Sequence, residues 1–185
     1  MPVRISISSE RLAFRTLEVS DVSDQYVHWL NDPEINRFLE TRFTPQTKSA
    51  CESFVLTMKA DPCGYLFGIY HKDTNTHIGN IKLGFINTNH QKAQISFLIG
   101  EKNYWGKGFA TESINRVTQW GFESLGLERI EAGCYEENLA AVRSFLKSGY
   151  VVEGFQRGGF EFNGYRVGCF MLAKLRSDPL RQVNV

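Results

Sequence analysis

The sequence predicts an α+β fold, a mixed and mainly antiparallel central sheet flanked by helices on both faces. Three observations carry that prediction. The apolar runs "GYLFGIYH", "HIGNIKLGFI" and "KAQISFLIG" are separated only by the polar turns "KDTNT" and "NTNHQ". Strands joined so closely pair antiparallel, because a parallel neighbour needs a crossover of about a dozen residues. "AQISFLIG" then passes through a glycine turn into a helical segment and on to the strand "ERIEAGCY", one βαβ unit. Last, "GGFEFNGYRVGCFMLAKL" reads as a hairpin across Asn163-Gly164, the strongest two-residue turn signal.

The remaining elements follow in order. A strand is expected around Leu12–Leu17, then a helix with Val22, Tyr26, Trp29 and Leu30 at helical spacing behind a Ser20 cap, ended or redirected by Pro33. "TPQTKSACESFVLTMKAD" offers Thr44 as N-cap and Pro45 at the first helical position, with Ala50, Phe54 and Met58 as its apolar stripe. Beyond the three-strand meander, "TESINRVTQWGFESLG" aligns Ile114, Val117, Gly121, Phe122 and Leu125 on one helix face. "NLAAVRSFLKSGY" is a short helix with Leu139, Val142, Phe145 and Leu146 inward, Asn138 as cap and Gly149 just past its end. Residues 1–176 read as one domain and 177–185 as a C-terminal tail.

Composition bounds the function. With 185 residues, 42% of them hydrophobic, the chain can bury a real core. A net charge of +1 with acids and bases interspersed excludes a broad nucleic-acid footprint. The start "MPVRISISSE" lacks the apolar core of a signal peptide, and no run approaches the roughly 18 apolar residues of a membrane span. A cytoplasmic chain with no membrane segment is expected. Cys51, Cys63, Cys134 and Cys169 form no CxxC pair, and His28, His71, His77 and His90 form no HExxH, so no metal site is expected.

The most informative run is "NYWGKGFATES", Asn103 to Ser113, between a strand and a helix. Gly106 and Gly108 permit positive φ and close backbone approach. The N–H groups from Gly106 to about Thr111 would converge on one point, where the helix dipole favours an anion. A connecting turn would also account for two glycines, so context decides. A P-loop would need GxxxxGK[ST], and Lys107 stands between the glycines instead. A dinucleotide site would need GxGxxG and an acid about 20 residues on. Glu128 has that spacing but precedes its strand, and only one βαβ unit is visible.

An acyl-CoA cradle fits the context. The chain resembles the GCN5-related N-acetyltransferase (GNAT) superfamily, most closely the ribosomal-protein N-terminal acetyltransferase subgroup. "WGKGFA", Trp105 to Ala110, is similar to that family's (Q/R)xxGx(G/A) loop at Gly108 and Ala110, with Trp105 in place of the usual Gln or Arg. The resemblance runs on through "LGLERIEAGCYEENLAAVRSFLKSGYVVEG" and covers roughly Leu12 to Leu175. It implies the acyl-CoA N-acyltransferase fold and acetyl-CoA as co-substrate, without a metal. It also implies direct attack of an amine on the thioester.

The resemblance assigns the acetyl-CoA contacts to Phe97, Leu98 and Ile99 of the preceding strand. To these it adds Trp105, Gly106, Lys107, Gly108, Phe109, Ala110 and Thr111 of the loop, and Asn138 and Arg143 around the next helix. The chain departs from the family where Phe145 replaces the usual tyrosine acid and Ala141 a usual serine. Tyr135 and Ser144 are then the expected thiolate partners and Glu161 the expected base. The acceptor, a protein N-terminal α-amine or a small amine, is expected between the N-terminal helix pair and the closing hairpin. Asp32, Glu34, Arg37, Glu40 and Arg42 are the charged groups there. A monomer or homodimer is expected. The alternatives are a non-catalytic acyl-CoA sensor on the same fold and, behind it, a nicotinamide-dependent oxidoreductase.

Overall fold

The computed structural model describes residues 4–178. Of the tail expected at 177–185, all but the first two residues lie outside the described residues. The strands are β1 (Ser6–Ser8), β2 (Leu12–Thr16), β3 (Tyr65–His71), β4 (Thr76–Asn87), β5 (Lys92–Ile99), β6 (Arg129–Tyr135), β7 (Val151–Phe162) and β8 (Tyr165–Leu175). They form one sheet in the order β1-β2-β3-β4-β5-β6-β8-β7. Every neighbouring pair is antiparallel except β5–β6. The helices are α1 (Asp24–Asn31), α2 (Pro33–Asn36), α3 (Lys48–Ala60), α4 (Phe109–Leu125) and α5 (Leu139–Lys147).

Burial divides the helices between the two faces. On one face α4 and α5 press Ile114, Val117, Trp120, Val142 and Phe145 onto Ile81, Leu83, Ile95 and Ile130 of the sheet. On the other face Tyr26, Trp29 and Leu30 of α1 and Cys51, Val55 and Met58 of α3 pack over Leu17 and Leu66. Beyond them a smaller cluster of Tyr135, Phe162 and Val167 receives Phe38 from the segment after α2.

Local hydrogen bonding corrects two helix caps. Ser20 lies in a 3-10 turn (Val19–Asp21), and the cap of α1 is Ser23, whose side chain accepts the Tyr26 N–H at 3.1 Å. Pro33 does redirect the chain, because Asp32 accepts from the N–H groups of Glu34 and Ile35 and starts α2 with proline in the first turn. Thr44 is not the cap of α3. The Gln46 amide bonds back to the Thr41 and Thr44 carbonyls, and Thr47 caps the helix through Ala50 N–H. The inward stripe of α3 is accordingly Cys51, Val55 and Met58, with Phe54 exposed. In α5, Ala141, Val142 and Phe145 are buried while Leu139 and Leu146 face outward.

Candidate active site

The parallel pair is short. β5 and β6 stay in register only over Lys92–Arg129, Ala93–Ile130 and Gln94–Glu131. From Ile95 onward the two strands diverge, and one side of β5 loses its neighbour. The Gly100 N–H bonds the Ile78 carbonyl at 2.9 Å. Alternation along an antiparallel ladder therefore turns Leu98 and Ser96 towards β4, and the backbone of Ile95, Phe97 and Ile99 towards the gap. Phe97 and Ile99 are thus placed as strand-like partners for a ligand, whereas the Leu98 backbone faces Asn80. The Ile99 carbonyl is taken by the Trp105 indole N–H at 2.7 Å. That bond ties the glycine loop to the far end of the open edge.

The loop after β5 has the conformation its glycines allow. Gly106 and Gly108 have φ of +73° and +81°, and Gly108 is the N-cap of α4 without a capping side chain. The Glu112 N–H is the first in α4 to reach an acceptor, the Gly108 carbonyl at 3.0 Å. The N–H groups of Phe109, Ala110 and Thr111 are therefore left to a ligand or solvent at the positive end of the helix. A Cβ on Gly106 would meet nothing within 4 Å, so the glycine is needed for its dihedral angle and leaves the approach to the loop open. Lys107 is exposed beside it, and the Phe109 side chain is buried in the core. A pyrophosphate fits this cradle, and a pantetheine arm fits the unpaired edge of β5.

Arg11 joins this loop, and sequence reading missed it. Its guanidinium donates to the Lys107 carbonyl at 3.1 Å and to Glu112 at 2.7 Å, and lies 4.2 Å from the Phe109 ring centroid. Glu112, in the first turn of α4, also accepts from the Arg11 backbone N–H and the Ser9 hydroxyl. Burial opposes ionisation of Glu112, but these donors outweigh it and hold the carboxyl below its ordinary range. The β1–β2 turn is thereby fastened to the glycine loop.

The other expected residues lie on two sides of the sheet. On the α4/α5 side, Asn138 caps α5 through Ala141 N–H at 3.2 Å, Arg143 is exposed, and Ser144 donates its hydroxyl proton to the Ala140 carbonyl. On the opposite side, Tyr135 at the end of β6 donates its phenol proton to Glu40. Burial and that bond raise the phenol above its ordinary value, so it stays protonated through neutral pH. Arg42 reaches the Tyr135 oxygen at 3.2 Å, the Glu161 carbonyl at 2.8 Å and the Leu39 carbonyl at 2.8 Å. It pins the segment after α2 onto the closing hairpin. The Glu161 carboxylate accepts the Gly164 N–H of the hairpin turn at 2.6 Å. Asp32 and Glu34 are paired with Lys102 at 2.9 and 2.6 Å.

Between the segment after α2 and the β7–β8 hairpin lies a cleft of about 850 Å³, lined among others by Arg37, Phe38, Arg42, Glu161, Phe162 and Tyr165. It occupies the position expected for the acceptor. Glu40 and Arg42 were singled out in the sequence only as charges, because their partners in β6 and β7 are 93 to 119 residues away. Among the described residues no group of three or more His, Cys, Asp or Glu is placed to hold a metal, and no helix is long and apolar enough to cross a membrane.

The family model described as "Acetyltransferase (GNAT) domain" matches residues 11–151. The chain belongs to the GNAT acetyltransferase family. Over 175 residues it is 27% identical to the uncharacterized N-acetyltransferase p20 of Bacillus licheniformis, covering 94% of this chain and 97% of that one. It is 30% identical to the uncharacterized N-acetyltransferase YoaA of Bacillus subtilis over 175 residues, 92% and 97% of the two chains. Among solved structures, the spermidine N-acetyltransferase from Vibrio cholerae in complex with CoA and spermine superposes with a TM-score of 0.82. It is 26% identical and covers 92% of this chain and 98% of that chain. The protein is an N-acetyltransferase with acetyl-CoA as co-substrate, on the expected mixed sheet flanked by helices.

Proposed function

We propose that residues 1–176 act as one domain that passes the acetyl group to a primary amine held in the cleft between the segment after α2 and the β7–β8 hairpin. The supporting observation is the early divergence of β5 and β6. It leaves the edge of β5 unpaired between the glycine loop and the cleft, where donor and acceptor can meet.

Acetyl-CoA supplies an activated acyl carbon, and the protein supplies position, a proton acceptor and exclusion of water. The backbone of Phe97 and Ile99 aligns the pantetheine arm. The N–H groups after Gly108, with Lys107, hold the pyrophosphate, and Asn138 and Arg143 flank the arm from α5. The amine arrives as an ammonium near pKa ~10 and must lose a proton before it attacks. Glu161 and Glu137 are the two carboxylates lining the cleft that can take it. The amine nitrogen bonds to the thioester carbon, the C–S bond breaks, and the thiolate leaves stabilised by hydrogen bonding from Tyr135 or Ser144, taking up the second proton that the nitrogen sheds as the amide forms. Either hydroxyl must first turn from its present acceptor.

Two acceptor classes fit this chemistry. The likeness to ribosomal-protein N-terminal acetyltransferases supports a protein α-amine. The spermidine N(1)-acetyltransferase of Vibrio cholerae, 36% identical over 87 residues (47% of this chain, 50% of that one), supports a small amine. A cleft of about 850 Å³ lies in the usual range for small molecules and favours the second. The protein is proposed to work in the cytoplasm as a monomer or homodimer.

Calorimetric titration with acetyl-CoA, with NADH in parallel, tests the cradle. Micromolar binding of acetyl-CoA alone, followed by thiol release on adding amines, is expected. Binding without turnover on any amine would make the protein an acyl-CoA sensor, and NADH binding would overturn the assignment of the loop.

A further inference from the structure

The charges of the acceptor cleft are sorted by wall. On the helical side stand Arg37 and Arg42. Arg42 is spoken for by two carbonyls, the Tyr135 oxygen and an ion pair with Glu40 at 3.6 Å, with its side chain only 12% exposed. Arg37 is exposed at the end of α2, its guanidinium 4.7 Å from the Phe38 ring centroid, and among the described residues it forms no ion pair. On the hairpin side stand Glu137, which accepts the Tyr165 hydroxyl at 2.5 Å, and Glu161, fixed by the Gly164 N–H. Between the walls Phe38, stacked on the buried Phe162 (centroids 5.4 Å apart, planes at 12°), and the half-exposed Tyr165 present apolar surface.

We infer that the acceptor is a small zwitterion: a primary amine that carries a carboxylate or phosphate on the same molecule. This rests on the acetyl-transfer reading above and deepens it. The ammonium meets the glutamates of the hairpin wall, where a proton acceptor is also needed. The anion meets Arg37, whose planar fork suits carboxylate and phosphate alike. The aromatic faces cover the body between them. A polyamine such as spermine gains the glutamates but sets a second ammonium against Arg37, a like-charge contact that disfavours it. The arginine wall thus selects against polycations while the glutamate wall admits one amine.

Matched pairs of acceptors test this, with thiol release measured at saturating acetyl-CoA. Phenylalanine is compared with 2-phenylethylamine, and 2-aminoethyl phosphate with ethanolamine; spermidine is the polycation control. The anionic member of at least one pair is expected to show tenfold or higher kcat/KM than its neutral-bodied partner and than spermidine. Which pair shows the larger ratio tells carboxylate from phosphate. Arg37→Gln should reduce that ratio to within twofold of unity, while calorimetric acetyl-CoA affinity stays unchanged. Equal use of both members, or preference for spermidine, overturns the zwitterion but leaves acetyl transfer standing. Acetyl-CoA binding with no amine turned over overturns both.

Discussion

Glu112→Ala would release the fastening between the β1–β2 turn and the glycine loop. The carboxylate accepts three hydrogen bonds, from the Ser9 hydroxyl, the Arg11 backbone N–H and the Arg11 guanidinium at 2.7 to 2.8 Å, with only 16% of its side chain exposed. Each such bond contributes about 1 kcal/mol net, and the acid in the first turn of α4 adds about 0.5 kcal/mol through the helix dipole. Arg11 is partly exposed, so water recovers some of its loss. The net destabilisation comes to about 3 kcal/mol, which lowers Tm by about 6–12 °C in a domain of this size. Glu112→Gln, which keeps an acceptor but not the charge, should cost about half. Scanning calorimetry with and without acetyl-CoA measures both effects. The folded-state ionisation of Glu112 lies below its unfolded value. Its contribution is therefore complete above the ordinary carboxylate range and is lost as pH falls through the depressed folded-state value, so wild type and alanine variant should converge only below that ordinary range. An unchanged Tm at pH 7, or a difference that persists undiminished in acid, would refute the role of this carboxylate.

Gly100→Ala places a Cβ inside the ring of Trp29, which is fully buried. Overpacking of that kind costs about 3 kcal/mol or more and should show as a lowered urea midpoint or loss of soluble protein. Tyr135→Phe removes the proton shared with Glu40 and the acceptor of Arg42. It is expected to lower kcat about tenfold or more while acetyl-CoA affinity, measured calorimetrically, is retained. Among the cysteines, only Cys63 is exposed, and burial pushes the Cys134 thiol up to about 12. An aromatic disulfide reagent should thus label Cys63 rapidly in the native protein and all four cysteines only after denaturation.

The sheet was readable from the sequence wherever a local turn fixed it. "KDTNT", "NTNHQ" and Asn163-Gly164 each set a register within a few residues, and the structure pairs β3–β4, β4–β5 and β7–β8 across them. The glycine loop was readable because its positive φ values leave few other residue choices. The cap of α5, Asn138, was readable too, but that of α3 was not, because threonines at 44 and 47 both qualify and only the backward bonds of Gln46 separate them. The stripe of α3 failed for a related reason. Ala50–Phe54–Met58 and Cys51–Val55–Met58 are both spaced for a helix, and the choice depends on which face meets α1 and β3. The start of β7 escaped notice because bulges between Val152 and Gly154 and between Gln156 and Phe160 break its alternation. In the candidate site, the expected residues of one local run do sit together in the glycine loop, while Arg11, Glu40 and Arg42 have partners roughly a hundred residues away.

On the proposed reading, the divergence of β5 from β6 leaves the sheet to be completed by its own substrate. The missing strand would be a pantetheine chain, and that chain is common to acetyl-CoA and to the CoA left after transfer. Whatever the open edge contributes to holding the donor it contributes equally to holding the spent carrier, and such uniform binding does nothing for the chemical step. Turnover then depends on how readily a finished sheet can be opened again, which makes departure of CoA the natural slow event and free CoA an inhibitor competitive with acetyl-CoA.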